Sequence, residues 1–360
     1  MTTKTLVRDN RDCMFDNIKI MLIFFVIIGH TLDKYEGNQS YYIWTSLLSF
    51  VNAFHMPMFV FVSGYFSKNL SKARVTAFDK CLIMFLVANF TWKIFIGLTN
   101  GNLAVMQDFF QILNSGWALW YLASLFFWRL MLKDLIRVKH IVIISFIVGL
   151  LMLYTPQAIS TLSFTRTITL LPFFLLGFYT NTNLIEKLRS NKKIVFLAFA
   201  IIIAVFIGCV INAKLDIMPY ETFIHYWTCN EYKEVYSGYK ENKFVLLVFS
   251  AFTYAVSVMM IYAIIAIMPS KKNKITHLGT DTMPIYLGHT YIVTLATLAI
   301  ADITIFKENI LVYLAFTFVL AVGIIYICSR KCVKTFVYDY LETGRKLILK
   351  KEFLNSQKDN

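Results

Sequence analysis

Long apolar stretches broken by short polar ones dominate the chain. Hydrophobic runs of about 20 residues have the length that crosses a bilayer as a helix. Such runs fall near 18–34, 42–66, 77–98, 117–136, 139–155, 165–181, 193–213, 244–268, 281–300 and 309–328. They are continuous rather than alternating, and only 14 Gly and 6 Pro interrupt 360 residues. The pattern therefore predicts an all-α, polytopic membrane bundle of about ten transmembrane helices, not a β-barrel. In the first run the uninterrupted apolar part lies only between Lys19 and His30. No small-x-small cleavage site follows it, so it reads as a span with polar residues at both ends and not as a signal peptide.

Composition agrees. The chain is 58% hydrophobic and 16% charged, with a mean hydropathy of +0.62, against roughly 45–50% apolar and 25% charged in soluble domains. Such numbers exclude a disordered scaffold, a disulfide-rich secreted domain and a collagen-like repeat. A net charge of +14 invites a nucleic-acid partner, but the placement of the charges argues against one. With the N-terminus inside, Lys34, Lys214, Lys233, Lys240, Lys243 and Lys307 lie outside and Lys19, Lys93 and Arg166 lie within spans. Every other Lys and Arg falls in the inside segments, as the positive-inside rule requires. The expected organisation is a cytoplasmic segment 1–17, a transmembrane unit 18–328 and a cytoplasmic basic tail 329–360. The outside loop 214–243 mixes aromatics with charges, which suits either carbohydrate contact or a cap on the membrane surface. Six cysteines form no CxxC pair, so free thiols and no metal are expected.

Ionisable groups inside hydrocarbon are costly and are functional suspects by default. Here they are His30, His55, Lys93, Arg166 and His289, with Lys19 and Asp33 near the ends of the first span. Counted from the inner ends of their spans, His30, His55 and Lys93 share a depth of roughly 16–18 Å, and His289 lies lower, at roughly 12 Å. Lys19 and His30 are eleven residues apart, which puts them roughly 20° apart around the helix. They are separated by roughly 16 Å along the axis, about the length of a pantetheine arm. Lys19 could hold phosphates as a point charge, with Asp33, at i+3, orienting the His30 ring. Equally, Lys19 could snorkel and His30 be a hydrogen-bonded core histidine. His55 precedes Met56-Pro57, where freed backbone carbonyls could occupy its ring. Lys93 is either an interfacial anchor or a ligand group. Arg166 is either a snorkeller or an oxyanion and phosphate clamp. Asp281-Thr282 and Pro284 read as helix-start chemistry. No Walker A, Rossmann, HExxH or GxSxG pattern occurs.

Five ordered blocks resemble the acyltransferase-3 membrane family, in its fucose-4-O-acetylase-like or polysaccharide O-acetyltransferase branch. They are Arg11 through Lys19 followed by the run ending at His30, the segment Phe54-His55-Met56-Pro57 through Ser63-Gly64-Tyr65, and WALWYL from Trp117 to Leu122. Arg166 with the run Leu170 to Tyr179, and the block Leu278 to His289, complete the set. The resemblance implies transfer of an acetyl group from cytoplasmic acetyl-CoA, as acyl donor and without a metal, to a hydroxyl of an exported glycan. It maps the family's catalytic histidine to His30 and its basic partner to Lys19, where many members have arginine. Where some relatives carry an acid five residues after the histidine, this chain has Tyr35, flanked by Asp33 and Glu36.

The site expected on this basis has His30, Asp33 and Arg166 as catalytic groups and Lys19, Arg11 and Ser63 toward the acyl-CoA. His55, Lys93, Trp117, Glu36 and His289 would face the acceptor. Expected partners are the lipid bilayer, a glycan or lipid-linked sugar and a polysaccharide synthesis or export complex, with no nucleic acid, in a bacterial plasma membrane. Acceptor recognition is expected within the membrane unit and its outer loops. A glycan exporter that transfers no acyl group and a non-catalytic assembly subunit are the competing readings.

Overall fold

The computed structural model describes residues 13–35, 37, 41–101, 114–152, 162–215, 217–218 and 243–350. Among these, every regular element is a helix. α1 spans Met14–Leu32, α2 Tyr41–Tyr65, α3 Leu70–Ala77 and α4 Met84–Thr99, with a π-helical stretch Phe78–Ile83 joining the last two. Then come α5 (Trp120–Leu135), α6 (Ile141–Leu151), α7 (Phe164–Tyr179), α8 (Thr182–Ser190), α9 (Lys192–Leu215) and α10 (Lys243–Ile267). The chain continues with α11 (Thr276–Gly279), α12 (Met283–Ile300), α13 (Thr304–Glu308), α14 (Ile310–Cys328) and α15 (Lys331–Ile348).

All ten expected stretches contain a helix, but among the described residues seven helices are long and apolar enough to cross a membrane, or eight if α7 and α8, bent by 85°, count as one span. α5 and α7, of 16 residues, reach about 24 Å, and α6, of 11 residues, about 17 Å, all short of a ~30 Å hydrocarbon core. Most of the outside loop, together with Arg11, Glu36 and Cys229, lies outside the described residues. α1 starts four residues before the expected span and buries Asp16 and Asn17. Buried polar groups need partners. Asp16 pairs with Lys19 at 2.8 Å, and the Asn17 amide donates to the Pro269 and Lys271 carbonyls.

α2 lies at the centre, against α1, α7, α9 and α10, while α1 also packs on α11, α12 and α14. In a bilayer, close backbone approach replaces the hydrophobic drive between helices. α2 and α7 achieve it reciprocally: a Cβ on Gly64 would meet the Phe174 carbonyl, and one on Gly177 would meet the Phe61 carbonyl. Pro57 cannot bond the Ala53 carbonyl, and the Ser257 hydroxyl donates to it instead, at 2.7 Å. By contrast α9, which packs on α2 and α10, fully buries only Ala198 and Cys209 and leaves its other face apolar toward lipid.

The basic tail folds back onto the bundle. α15 is amphipathic and lies against α4 and α12. Tyr340 donates to the Val87 carbonyl at 2.8 Å, and Arg345 reaches Asp79, in the π-helical stretch, at 3.4 Å. Tyr338 donates to Asp281, which also pairs with Lys334 at 3.3 Å. Thr282 occupies the N-cap position of α12 without a side-chain cap bond, so the acid read as helix-start chemistry serves to dock the tail.

Candidate active site

Two chambers enter the bundle from opposite ends. One, of about 570 Å³, lies among the start of α1, the end of α2, the π-helical stretch, the end of α5 and the start of α12. Its polar wall includes Lys19, Ser63, Lys80, Arg129, Tyr121 and Tyr286, with the Asp281 carboxylate and the Thr280 and Thr282 hydroxyls at the start of α12. The other, of about 510 Å³, lies among the far ends of α1, α4 and α12 and is lined by Lys34, Trp92, Trp117, Lys307 and Tyr313. Between them is a gap of about 10 Å³ bounded by His30, Met56, Phe59, Tyr121 and Tyr286, room for about one water. Phe59, Tyr121 and Tyr286 face both the gap and the Lys19 chamber. On the other side the His30 ring packs on Trp117, centroids 4.4 Å apart, and Trp117 faces the Lys34 chamber.

His30 therefore sits in the partition. His289, completely buried, stacks beside it at 5.4 Å and 24°, and neither of its ring nitrogens has a well-formed hydrogen bond among the described residues. The ring contact brings His289 beside His30, and its 5.4 Å separation is no larger than the depth difference counted from the sequence. Among the described residues, the groups in electrostatic reach of His30 are His289, His55, Arg166 and Lys34. All are bases, so the partition favours an anion. Asp33, expected to orient the ring, is exposed at the C-cap of α1.

Three devices hold the partition in place. Asn89, buried in α4, accepts from the Gly116 amide at 2.6 Å and donates to the Asn114 carbonyl at 3.2 Å. This fixes the turn that presents Trp117. The Ser115 and Ser163 hydroxyls bond at 2.5 Å, tying that turn to the start of α7, where the Arg166 guanidinium lies 5.3 Å from the Trp120 ring centre. Lastly, Tyr121 bonds the Ser63 hydroxyl and Tyr286 donates to the Ala118 carbonyl at 2.6 Å.

Other expected residues are placed elsewhere. His55 is buried and its Nδ1 donates to the Val51 carbonyl at 2.8 Å; the carbonyl freed by Pro57 is the one Ser257 takes. Lys93 lines neither chamber. Its neighbour Trp92 takes the inward direction, and one residue is about 100° of rotation. Ser63 and Lys19 do line one chamber, with Lys19 already paired to Asp16.

Arg129 and Lys80 were absent from the expected site. Arg129 points at the Cys81 sulfur at 3.6 Å, its Nε is buried without a hydrogen bond, and among the described residues no carboxylate pairs with it. The signal was available, since both residues, although counted with the inside segments, stand at the inner ends of the apolar stretches 77–98 and 117–136. Tyr338 also faces this chamber. Burial, and then the adjacent Asp281 carboxylate, push its pKa up, so it remains a donor at neutral pH.

Comparison with known proteins covers most of the chain. The acyltransferase domain family model matches residues 15–330. The nodulation protein NolL of Sinorhizobium fredii is 28% identical over 210 residues, 54% of this chain and 56% of that protein. NolL of Mesorhizobium japonicum is 43% identical over 61 residues, 16% of each chain. The matched region thus spans about half the length of the first of these curated relatives. No solved structure matches the chain.

Proposed function

The chain belongs to the acyltransferase-3 family, and on that premise we propose that it is a membrane O-acetyltransferase. Acetyl-CoA enters the Lys19 chamber from the cytoplasm, and a hydroxyl of an exported cell-envelope glycan, or of its lipid-linked precursor, enters the Lys34 chamber. Both termini are cytoplasmic, in a bacterial plasma membrane. The observation that carries this reading is the convergence of two chambers from opposite ends on His30.

The chemistry follows from the surroundings of His30. Its ring takes the proton of the acceptor hydroxyl, and the oxygen attacks the thioester carbonyl. The carbonyl oxygen gains charge as this bond forms, and Arg166 stabilises it in a site already poor in acids. The carbon–sulfur bond then breaks, and the departing thiolate takes the proton held by His30. Lys19, Lys80 and Arg129 hold the donor's phosphates, Arg129 offering a bidentate fork. The ~10 Å³ gap admits a water and not a sugar, which supports transfer across the partition over passage through it.

The decisive assay supplies labelled acetyl-CoA to inside-out vesicles with and without the chain and counts label released from envelope glycan by mild base. Label in the glycan only when the chain is present is expected. Exported glycan that depends on the chain, with no ester label, would replace this reading by export. A second expectation isolates the donor chamber: Arg129→Gln should raise the KM for acetyl-CoA about tenfold with little change in kcat, the loss of one charged hydrogen bond of about 1.5 kcal/mol. An unchanged KM removes Arg129 from the donor site.

A further inference from the structure

A third cavity, of about 770 Å³, shares no lining residue with either chamber. It opens on the outer face of the bundle between α1, the 268–278 turn and α14. Its stem is apolar, formed by Ile20, Met21 and Phe24 of α1 and by Val322 and Ile325 of α14. At one end it becomes basic: Lys274, His277 and Arg330 line it and no acid does. Among the described residues neither Lys274 nor Arg330 forms an ion pair, and the Arg330 guanidinium lies 3.9 Å from the Tyr326 ring centre.

This polar end is built rather than incidental. Asn17 ties the turn down, donating to the Pro269 and Lys271 carbonyls and accepting from Thr276 at 2.6 Å. Asn273 accepts from the Ile275 and Thr276 amides at 3.0 and 2.9 Å. Opposite, Ser329 lines the cavity, and its hydroxyl is buried without a hydrogen-bond partner among the described residues. From Ser329 to Val322 the stem runs two helical turns, about 10 Å. The cleft thus has a phosphate-sized cluster of bases, a spare hydroxyl just below it and an apolar slot continuing toward the middle of the bundle. Basic pockets between transmembrane helices have the charge that binds anionic headgroups.

We propose that this cleft holds one anionic glycerophospholipid of the adjoining leaflet. Its phosphate sits between Lys274 and Arg330, its ester region faces Ser329, and one acyl chain lies between α1 and α14. A zwitterionic choline headgroup would bring a cation to a cluster that is already positive. The bound lipid braces the face of α1 opposite Lys19, so its occupancy steadies the wall of the donor chamber.

The test uses the full chain purified in detergent, with phosphatidylglycerol or phosphatidylcholine added in equal amounts and retention read by native mass spectrometry. One phosphatidylglycerol per chain should survive at activation energies that strip phosphatidylcholine. Lys274→Ala/Arg330→Ala should lower that occupancy at least fivefold. Val322→Trp, which fills the slot and leaves the bases intact, should do the same with an unchanged melting midpoint. Equal retention of the two lipids, retention of neither, or wild-type occupancy in both variants would overturn the proposal.

Discussion

Replacing His30 by alanine is expected to cut acetyl transfer by about 10²–10⁴-fold, the range a positioned general base supplies. The loss should fall on kcat. Lys19, Lys80 and Arg129, proposed here to hold the donor, line a chamber that His30 does not, so binding of acetyl-CoA measured by calorimetry should persist. Membrane levels of the variant must match the parent, and glycan yield should not change. Activity within tenfold of the parent would remove His30 from the chemistry. His289→Asn separates its role from that of its neighbour. If the stacked ring at 5.4 Å only positions His30, the pH profile of kcat keeps its shape and drops in height.

The largest expected effect on stability is at the α2–α7 crossing. Gly177→Ala places a methyl against the Phe61 carbonyl and Gly64→Ala one against the Phe174 carbonyl. Neither backbone can retreat, because each helix is held on its other faces. Overpacking costs about 1–3 kcal/mol where side chains can yield, and here the obstacle is main chain, so at least the upper figure applies. Gly208 in α9 and Gly323 in α14 provide the control, since a Cβ at either meets nothing within 4 Å. Alanine at those two should be neutral or stabilising, by up to about 1 kcal/mol. Melting midpoints in a single detergent compare all four. Equal midpoints for Gly177→Ala and Gly208→Ala would mean the helices do not meet as described. Because Gly64 and Gly177 serve one contact, their double variant should cost less than the sum.

Much of this was legible in the chain because hydrocarbon is an unforgiving solvent. Ten apolar stretches each yield a helix, although α5, α6 and α7 fall short of spanning length. Isolated ionisable groups mark His30, Arg166 and His289 as belonging together. Depth can be counted along a helix axis. Rotation about the axis is harder to read: Lys93 shares the depth of His30 but Trp92 faces inward in its place. Arg129 and Lys80 escaped notice because the positive-inside rule already accounted for them. Asn89 and Asn17 were readable in principle as lone amides in or beside apolar runs, yet their partners lie 25 and 252 residues away. Periodicity reports which face of a helix is buried, never against what. The docking of α15 is of the same kind, resting on Tyr338, Tyr340 and Arg345, which reach elements some 60 to 270 positions earlier.

The thinness of the partition also has an electrical consequence. Wherever water fills both chambers, the potential across the membrane falls almost entirely over the few ångströms occupied by His30, Trp117 and the gap beside them. A unit charge moved through that drop exchanges about 2.3 kcal/mol per 100 mV. In the proposed mechanism the proton taken from an acceptor hydroxyl therefore leaves His30 along a steep local field, pulled toward the face of negative potential. On the proposed orientation that is the face where the thiolate awaits it, so an energised membrane favours the forward direction of the reaction without any dedicated voltage sensor.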